Sequence, residues 1–434
     1  MQSRNACPLD EVSRPSRCWA KRWSAWALCL VLAASAGAQP APPAAAEPSA
    51  ETLRRWSELT RRYGEQIERE TALGGPYSES LLELLLPLAM LYRERGDHDL
   101  AAQTLETALQ VKRVNEGLRS LDQAPLIELL LDSEIARGNI DAAVGYERAL
   151  VRLARLNPDD LRSVPILRES GDREIGIYTR YLEGALPPEV NVRFDPAGAG
   201  PGPGLRGNRA IGVSSLQQAR RNYREAIGVL MRNGRSTSDE VLELEERLIV
   251  SYFLEATSDE ALPLEAEYAY QQGRDAYQRI VARSTSGTVA EFATALIRYA
   301  DWELFFSHNG AALNAYRLAY ELLASRDEAS DLIDELFAPD TPIVLPAFLP
   351  NPLAADDAGA TAGYVDLTFE LNRYGTARRI EVLAADPGIA DAAERRIVRI
   401  VARSVFRPRI TDGEFARRTP ILLSQRVAAS SATH

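Results

Sequence analysis

From about residue 51 to residue 335, apolar residues recur three and four positions apart, the spacing of one helix face, and this predicts a long run of α-helices. The pattern then changes. In GYVDLTFEL, beginning at Gly363, apolar and polar residues alternate, so that Val365, Leu367, Phe369 and Leu371 share the buried face of a strand. NRYG at 372 to 375 reads as a turn, with Gly375 suited to a positive φ, and Ile380 and Val382 share a face of the returning strand. A helix is expected from Asp391, with Ala393, Ile397, Ile400 and Val401 as its apolar stripe and Arg395, Arg399 and Arg403 on another face. A last strand follows at about 419 to 427, where Ile421, Leu423 and Val427 are in step.

The helical part repeats. LLPLAMLYRERGDHDLAAQTLETAL and IELLLDSEIARGNIDAAVGYERAL superpose with Gly96 on Gly138 and Ala108-Leu109 on Ala149-Leu150. Each unit reads as a helix, a glycine break, and a second helix whose small residues let it approach the first. The pattern resembles the tetratricopeptide repeat, with Leu85, Leu88, Ala89 and Tyr92 in the first-helix core and Gly96, Ala101, Leu105 and Ala108 in the second. A further match contains Ala300, Ala312, Tyr316 and Ala319, and second-helix echoes occur at Ala219, Tyr223 and Ala226 and at Gly273, Tyr277 and Ile280. What the resemblance implies is a solenoid of helical hairpins presenting a concave protein-binding surface; an irregular helical bundle is the other reading. Tyr299, Trp302, Phe305 and Phe306 are expected in the core.

Between residues 191 and 212 the helical pattern gives way to NVRFDPAGAGPGPGLRGNRA. Gly202, Gly204 and Gly207 satisfy a dinucleotide-loop spacing, but that motif needs a strand-turn-helix unit with the helix starting at the loop, whereas here prolines interrupt it and the next helix-like pattern begins only near Ser214, which argues against that reading. The stretch is read as a surface insertion between two repeat blocks, 51 to 190 and 213 to 335, with the next helix beginning near Ser214. Residues 336 to 362 form a Pro-rich connector, and TPIVLPAFLPNPL within it is apolar enough to dock along the repeats or against the small sheet.

The strand, strand, helix, strand order of residues 363 to 434 resembles the C-terminal domain of the TonB family. The likeness rests on Gly363, VDLTFELN, Gly375, RIEVL, Ala392 and Ala393, Phe406-Arg407-Pro408 and Asp412-Gly413. It implies a small α+β protein-binding module whose last strand accepts an extended peptide. The receiving edge would comprise Thr419, Ile421, Leu423, Gln425 and Val427, with Arg395, Arg399 and Arg403 as a second contact for an acidic partner, lipid head groups or the acidic repeats. The chain lacks the family's Tyr-Pro helix before the first strand and has no histidine in its N-terminal apolar run.

Composition adds a destination. Arg14, Arg17, Lys21 and Arg22 precede WSAWALCLVLAA, and Ala36-Gly37-Ala38 supplies a cleavage site, so residues 1 to 38 read as a secretory signal and 39 to 50 as a Pro/Ala spacer. Retention of the apolar run as an anchor is the alternative; Leu28 before Cys29 argues against lipidation. All three cysteines lie in this segment, so a mature chain would carry no disulfide or thiolate site. The net charge of the 434 residues is -11, while residues 363 to 434 hold 12 Arg against 8 acids, a local excess of 4 positive charges. An acidic body argues against nucleic acid. Histidines at 98, 308 and 434 form no sequence cluster, and no nucleophile motif occurs. The sequence thus predicts an exported, periplasmic, non-enzymatic adaptor without metal or cofactor that binds proteins or extended peptides of the cell envelope. The alternative is a membrane-anchored energy transducer contacting an outer-membrane receptor.

Overall fold

The computed structural model describes residues 49–182, 205–258, 261–326, 330–338, 341–349, 351, 353, 361–386, 391–411, 413–416 and 419–428. The expected signal and spacer up to residue 48, and most of the insertion, lie outside them. The chain is mainly helical, with small antiparallel sheets at its C-terminal end. The helices are α1 (Ala50–Gly74), α2 (Leu82–Glu94), α3 (His98–Glu116), α4 (Ala124–Ala136), α5 (Ile140–Leu156), α6 (Ser163–Leu182), α7 (Leu205–Arg232), α8 (Asp239–Ala256), α9 (Pro263–Ser284), α10 (Val289–Phe305), α11 (Asn309–Ala324), α12 (Ser330–Phe337) and α13 (Asp391–Arg403). The strands are β1 (Val344–Leu345), β2 (Thr361–Leu371), β3 (Ala377–Ala385), β4 (Val405–Phe406), β5 (Ile410–Thr411), β6 (Glu414–Phe415) and β7 (Thr419–Ala428). Two compact units are formed, one from the described residues up to Phe253 with Gln271–Ala295, the other from Leu254–Tyr270 with the described residues from Leu296 onward.

In the first unit each helix from α2 to α7 packs on its predecessor. The same chain reversal recurs. Gly96 has φ +78° and donates its N–H to Arg93 O (3.0 Å), while Asp97 N–H reaches Tyr92 O (2.9 Å). Gly138 and Asn139 repeat this with Ile135 and Glu134, and Gly234 and Arg235 with Met231 and Leu230. This double bond satisfies the last carbonyls of a helix and requires the left-handed region, which glycine enters without steric cost.

A second recurrence ties successive layers together. Asn115 Nδ2 donates to Tyr77 O (2.9 Å), Asn157 Nδ2 to Arg119 O (2.8 Å) and Asn233 Nδ2 to Asp159 O (3.0 Å). Each asparagine also bonds the carbonyl four residues back in its own helix. The ends of α3, α5 and α7 are therefore equivalent positions. Helix α7 packs on α6, where a Cβ at Gly171 would overlap the ring of Tyr223. Its start at Leu205 moves the expected end of the insertion back from residue 212, because helix formation becomes possible as soon as Pro201 and Pro203 are passed.

Polar contacts span these helix pairs. Glu245, 3% exposed, accepts from Arg279 at 2.9 and 2.8 Å and lies 3.3 Å from Arg283. Asp172 accepts from Tyr223 Oη (2.8 Å) and Arg247 Nε (2.9 Å). Arg220 bonds both the hydroxyl and the carbonyl of Ser251 and lies over the Tyr252 ring.

In the second unit the reversal between α10 and α11 is built the same way with Ser307 at φ +66°, its N–H on Leu304 O (2.9 Å) and His308 N–H on Glu303 O (2.8 Å). Trp302, Phe305 and Phe306 are buried, as the sequence led us to expect, and Tyr299 is half-buried. The main sheet has the order β3-β2-β7, all antiparallel. Its inner face, Val365, Leu367, Phe369, Leu371, Ile421 and Leu423, packs with Ile397 and Val401 of α13 and with Phe406. Gly375 (φ +67°) accepts from Phe406 N–H (2.8 Å), and a Cβ there would collide with Phe406 O. The connector joins this unit: β1 pairs with β4, and Val344 and Leu353 enter the sheet's core.

Candidate protein-binding surfaces

Both outer strands of the sheet leave one side without a strand partner among the described residues, yet they differ. On β3 the register against β2 shifts twice, between Asp366 and Leu367 and between Thr368 and Glu370, and Arg379 takes φ +51°. Bulges and exposed Arg378 and Arg379 blunt an edge against further pairing. By contrast β7 runs in unbroken register from Gly363 opposite Val427 to Leu371 opposite Thr419. From Ile421 onward, beyond Pro420, which has no N–H to give, this edge offers repeated N–H and C=O groups to an added strand.

The side chains on β7 do not match the expected set. Ile421 and Leu423 are in the core and Thr419 is half-buried, so their contribution to an edge would come from the backbone. Leu422 is the outward residue, 70% exposed and opposite Thr368, with Tyr364 also exposed on that face. The sequence argument missed Leu422 because it followed the buried parity of the strand, although the opposite parity was available from the same alternation. The backbones of Gln425 and Val427 pair with Val365 and Gly363; their side chains lie outside the described set.

Arg395, Arg399 and Arg403 are exposed along α13, which lies on β3. They lie on the helix that covers the inner face of the sheet, a different element from the β7 edge. Among the described residues, only Arg399 Nε of the three finds a local acceptor, Arg395 O at 3.2 Å.

A buried charge cluster that sequence reasoning did not identify fixes the segment between α13 and β7. Arg407 donates through Nε and Nη2 to both oxygens of Asp301 on α10 (3.0 and 2.6 Å), and through Nη1 to Leu336 O (3.2 Å). Tyr316 Oη of α11 donates to Asp301 Oδ1 (2.6 Å). Burial works against the charge of Arg407, but Asp301 outweighs it and raises its pKa; burial, with Asp301 adjacent, pushes the Tyr316 phenol well up. Arg317 lies over Phe415, and Tyr320 contacts Phe337. The signal available in the sequence was Asp301 itself, a carboxylate placed between Ala300 and Trp302 on an otherwise apolar helix face.

In the helical unit, a cleft of about 640 Å³ is lined by Leu59 and Tyr63 of α1, Pro87, Met90 and Arg93 of α2, and His98. Elsewhere in this unit α4 and α6 carry Glu128 and Glu169; burial, then the charges of Glu169 and Asp132, raises the Glu128 pKa. Among the described residues no group of three or more His, Cys, Asp or Glu is placed to hold a metal ion, and no helix is long and apolar enough to cross a membrane.

No protein-family model matches this chain, and no curated protein matches it. Among solved structures it is similar to BtubC (BKLC) from P. vanneervenii at 14% identity, over 72% of this chain and 99% of that one, with a TM-score of 0.31. A likeness at that level carries no argument about what the chain does.

Proposed function

We propose that this protein is an exported, non-enzymatic adaptor of the cell envelope, in which tetratricopeptide-like helical pairs form one protein-binding region and a TonB-like C-terminal module receives an extended peptide on β7. The observation that carries the reading is the contrast between the two sheet edges: β3 is bulged and charged, whereas β7 is regular and presents Leu422 to solvent. Strand addition draws its affinity from main-chain hydrogen bonds and its selectivity from alternate side chains, so a bound peptide would place an apolar residue beside Leu422.

The test is to select extended peptides against the full chain and then methylate their backbone nitrogens one at a time. Binding by strand addition is lost at every second position and kept at the others. Leu422→Lys is expected to weaken binding at least tenfold while leaving the unfolding midpoint unchanged. Uniform tolerance of N-methylation would overturn the reading. Export is tested by the mass of the mature chain. A start near Gln39 fits the adaptor, whereas a retained N-terminus fits an anchored energy transducer.

A further inference from the structure

The arginines of the helical unit largely face carboxylates: Arg93 with Asp132, Arg137 with Glu134 and Asp99, Arg155 with Glu225, Arg173 with Glu147, Arg247 with Asp172. Helix α13, like α1 with exposed Arg54, Arg55, Arg62 and Arg69, carries arginines outside such pairs, but unlike α1 it has no carboxylate beyond its first turn. Arg395, Arg396, Arg399 and Arg403 are all exposed, and none forms an ion pair among the described residues; exposed Arg378 on the underlying β3 has none either. The two carboxylates of the helix, Asp391 and Glu394, are confined to its first turn. Four residues of helix rise by about 6 Å, so Arg395, Arg399 and Arg403 make a row of positive charge about 12 Å long.

The surroundings of this row restrict what it can meet. No aromatic side chain of α13 is present to stack on a nucleobase. A specific protein interface is centred on aromatic, aliphatic or arginine anchors that become fully desolvated in well-packed pockets. The apolar residues of α13 are committed elsewhere: Ile397 and Val401 are buried under the sheet and Ile400 is packed against the same core. A diffuse anionic surface requires only charge. We propose that α13 is a peripheral docking face for anionic phospholipid head groups, holding the sheet at a membrane surface through the helix on its inner face, a different element from the β7 edge. With no large apolar side chain of α13 exposed for insertion, the attachment of this helix is electrostatic and reversed by salt.

The proposal is independent of peptide binding at β7 and is tested with the full chain. Co-sedimentation is measured with vesicles of phosphatidylcholine alone and with 30% phosphatidylglycerol, at about 50 mM and about 500 mM NaCl, and the salt-reversible component is read. This separates head-group attraction from any salt-insensitive insertion of the N-terminal apolar run. Each arginine near an anionic surface contributes roughly a fivefold affinity factor, so Arg395→Gln/Arg399→Gln/Arg403→Gln is expected to lose about 100-fold of that component. The triple lysine variant keeps it, since a lipid surface reads charge and not the guanidinium fork. Unchanged Trp302 fluorescence certifies folding of the unit. Equal salt-reversible binding by wild type and the triple glutamine variant, or none to phosphatidylglycerol vesicles, would overturn the proposal. So would salt-sensitive self-association lost in both triple variants, which would assign the row to a protein carboxylate surface.

Discussion

The two compact units handle buried charge in opposite ways. In the helical unit, ion pairs are distributed over successive helix pairs and their cations keep a route to water, as with the Arg279 side chain on buried Glu245, 48% exposed; Arg220, which bonds Ser251, is the buried exception. In the C-terminal unit an ion pair is itself closed off from solvent: Arg407 and Asp301 are 8% and 5% exposed and hold the segment after α13 against α10, while buried Glu303 of α10 accepts from Tyr270. Distributed pairs can fail one at a time. A buried pair without access to solvent leaves its survivor stranded.

The sharpest way to break this comparison is to delete one carboxylate from each unit. Asp301→Ala strands Arg407 and is expected to cost about 3–5 kcal/mol, whereas Glu245→Ala, whose arginines can turn outward, is expected to cost only about 1 kcal/mol. Among the described residues Trp56 lies in the helical unit and Trp302 in the C-terminal one, so urea unfolding followed in single-tryptophan backgrounds reports each unit separately. Equal losses would remove the distinction.

Next in size is Gly171→Ala. The added methyl group meets the Tyr223 ring between α6 and α7, and overpacking of this kind costs about 1–3 kcal/mol, read from the Trp56 transition.

Tyr316 allows the closed-off site to be probed by pH. Its folded pKa is raised above the unfolded value near 10, so the protonated phenol is favoured by folding. Its contribution is complete below about pH 10 and declines as pH rises further, by up to about 1.4 kcal/mol per pH unit. Tyr316→Phe should lose about 1.5–3 kcal/mol at neutral pH, from the missing bond to Asp301, and should flatten the alkaline limb of the stability curve. Tyr223, whose phenol is raised by burial and Asp172, makes the same test available in the helical unit.

The smallest expected effect is a gain. Ser307 occupies the left-handed position that glycine fills at residues 96, 138 and 234, so Ser307→Gly should stabilise the C-terminal unit by about 0.5–1 kcal/mol. A loss would mean that the serine side chain compensates for its backbone strain.

What the sequence revealed, and what it withheld, follows from the range of the interactions involved. Helical periodicity, the glycine breaks at 96 and 138, the alternation in β2 and the apolar stripe of α13 are consequences of local spacing and were legible. The placement of α7 was partly hidden because the Gly/Pro stretch masks the register linking Asn157 to Asn233. The Arg407–Asp301 contact joins residues 106 positions apart, and no local pattern encodes it. Of the expected binding residues, the edge as a backbone feature was readable. Its exposed side chain was not singled out, because Leu422 resembles a core residue until strand parity is followed.

The pairing of α6 with α7 implies something about continuity. A single peptide-bond cut between Leu182 and Leu205 would leave an interlocked pair of surfaces, with Gly171 seated against Tyr223, on two separate polypeptides. The molecule is thereby suited to reassembly from split halves, its reconstitution governed by the fit of one glycine to one aromatic ring.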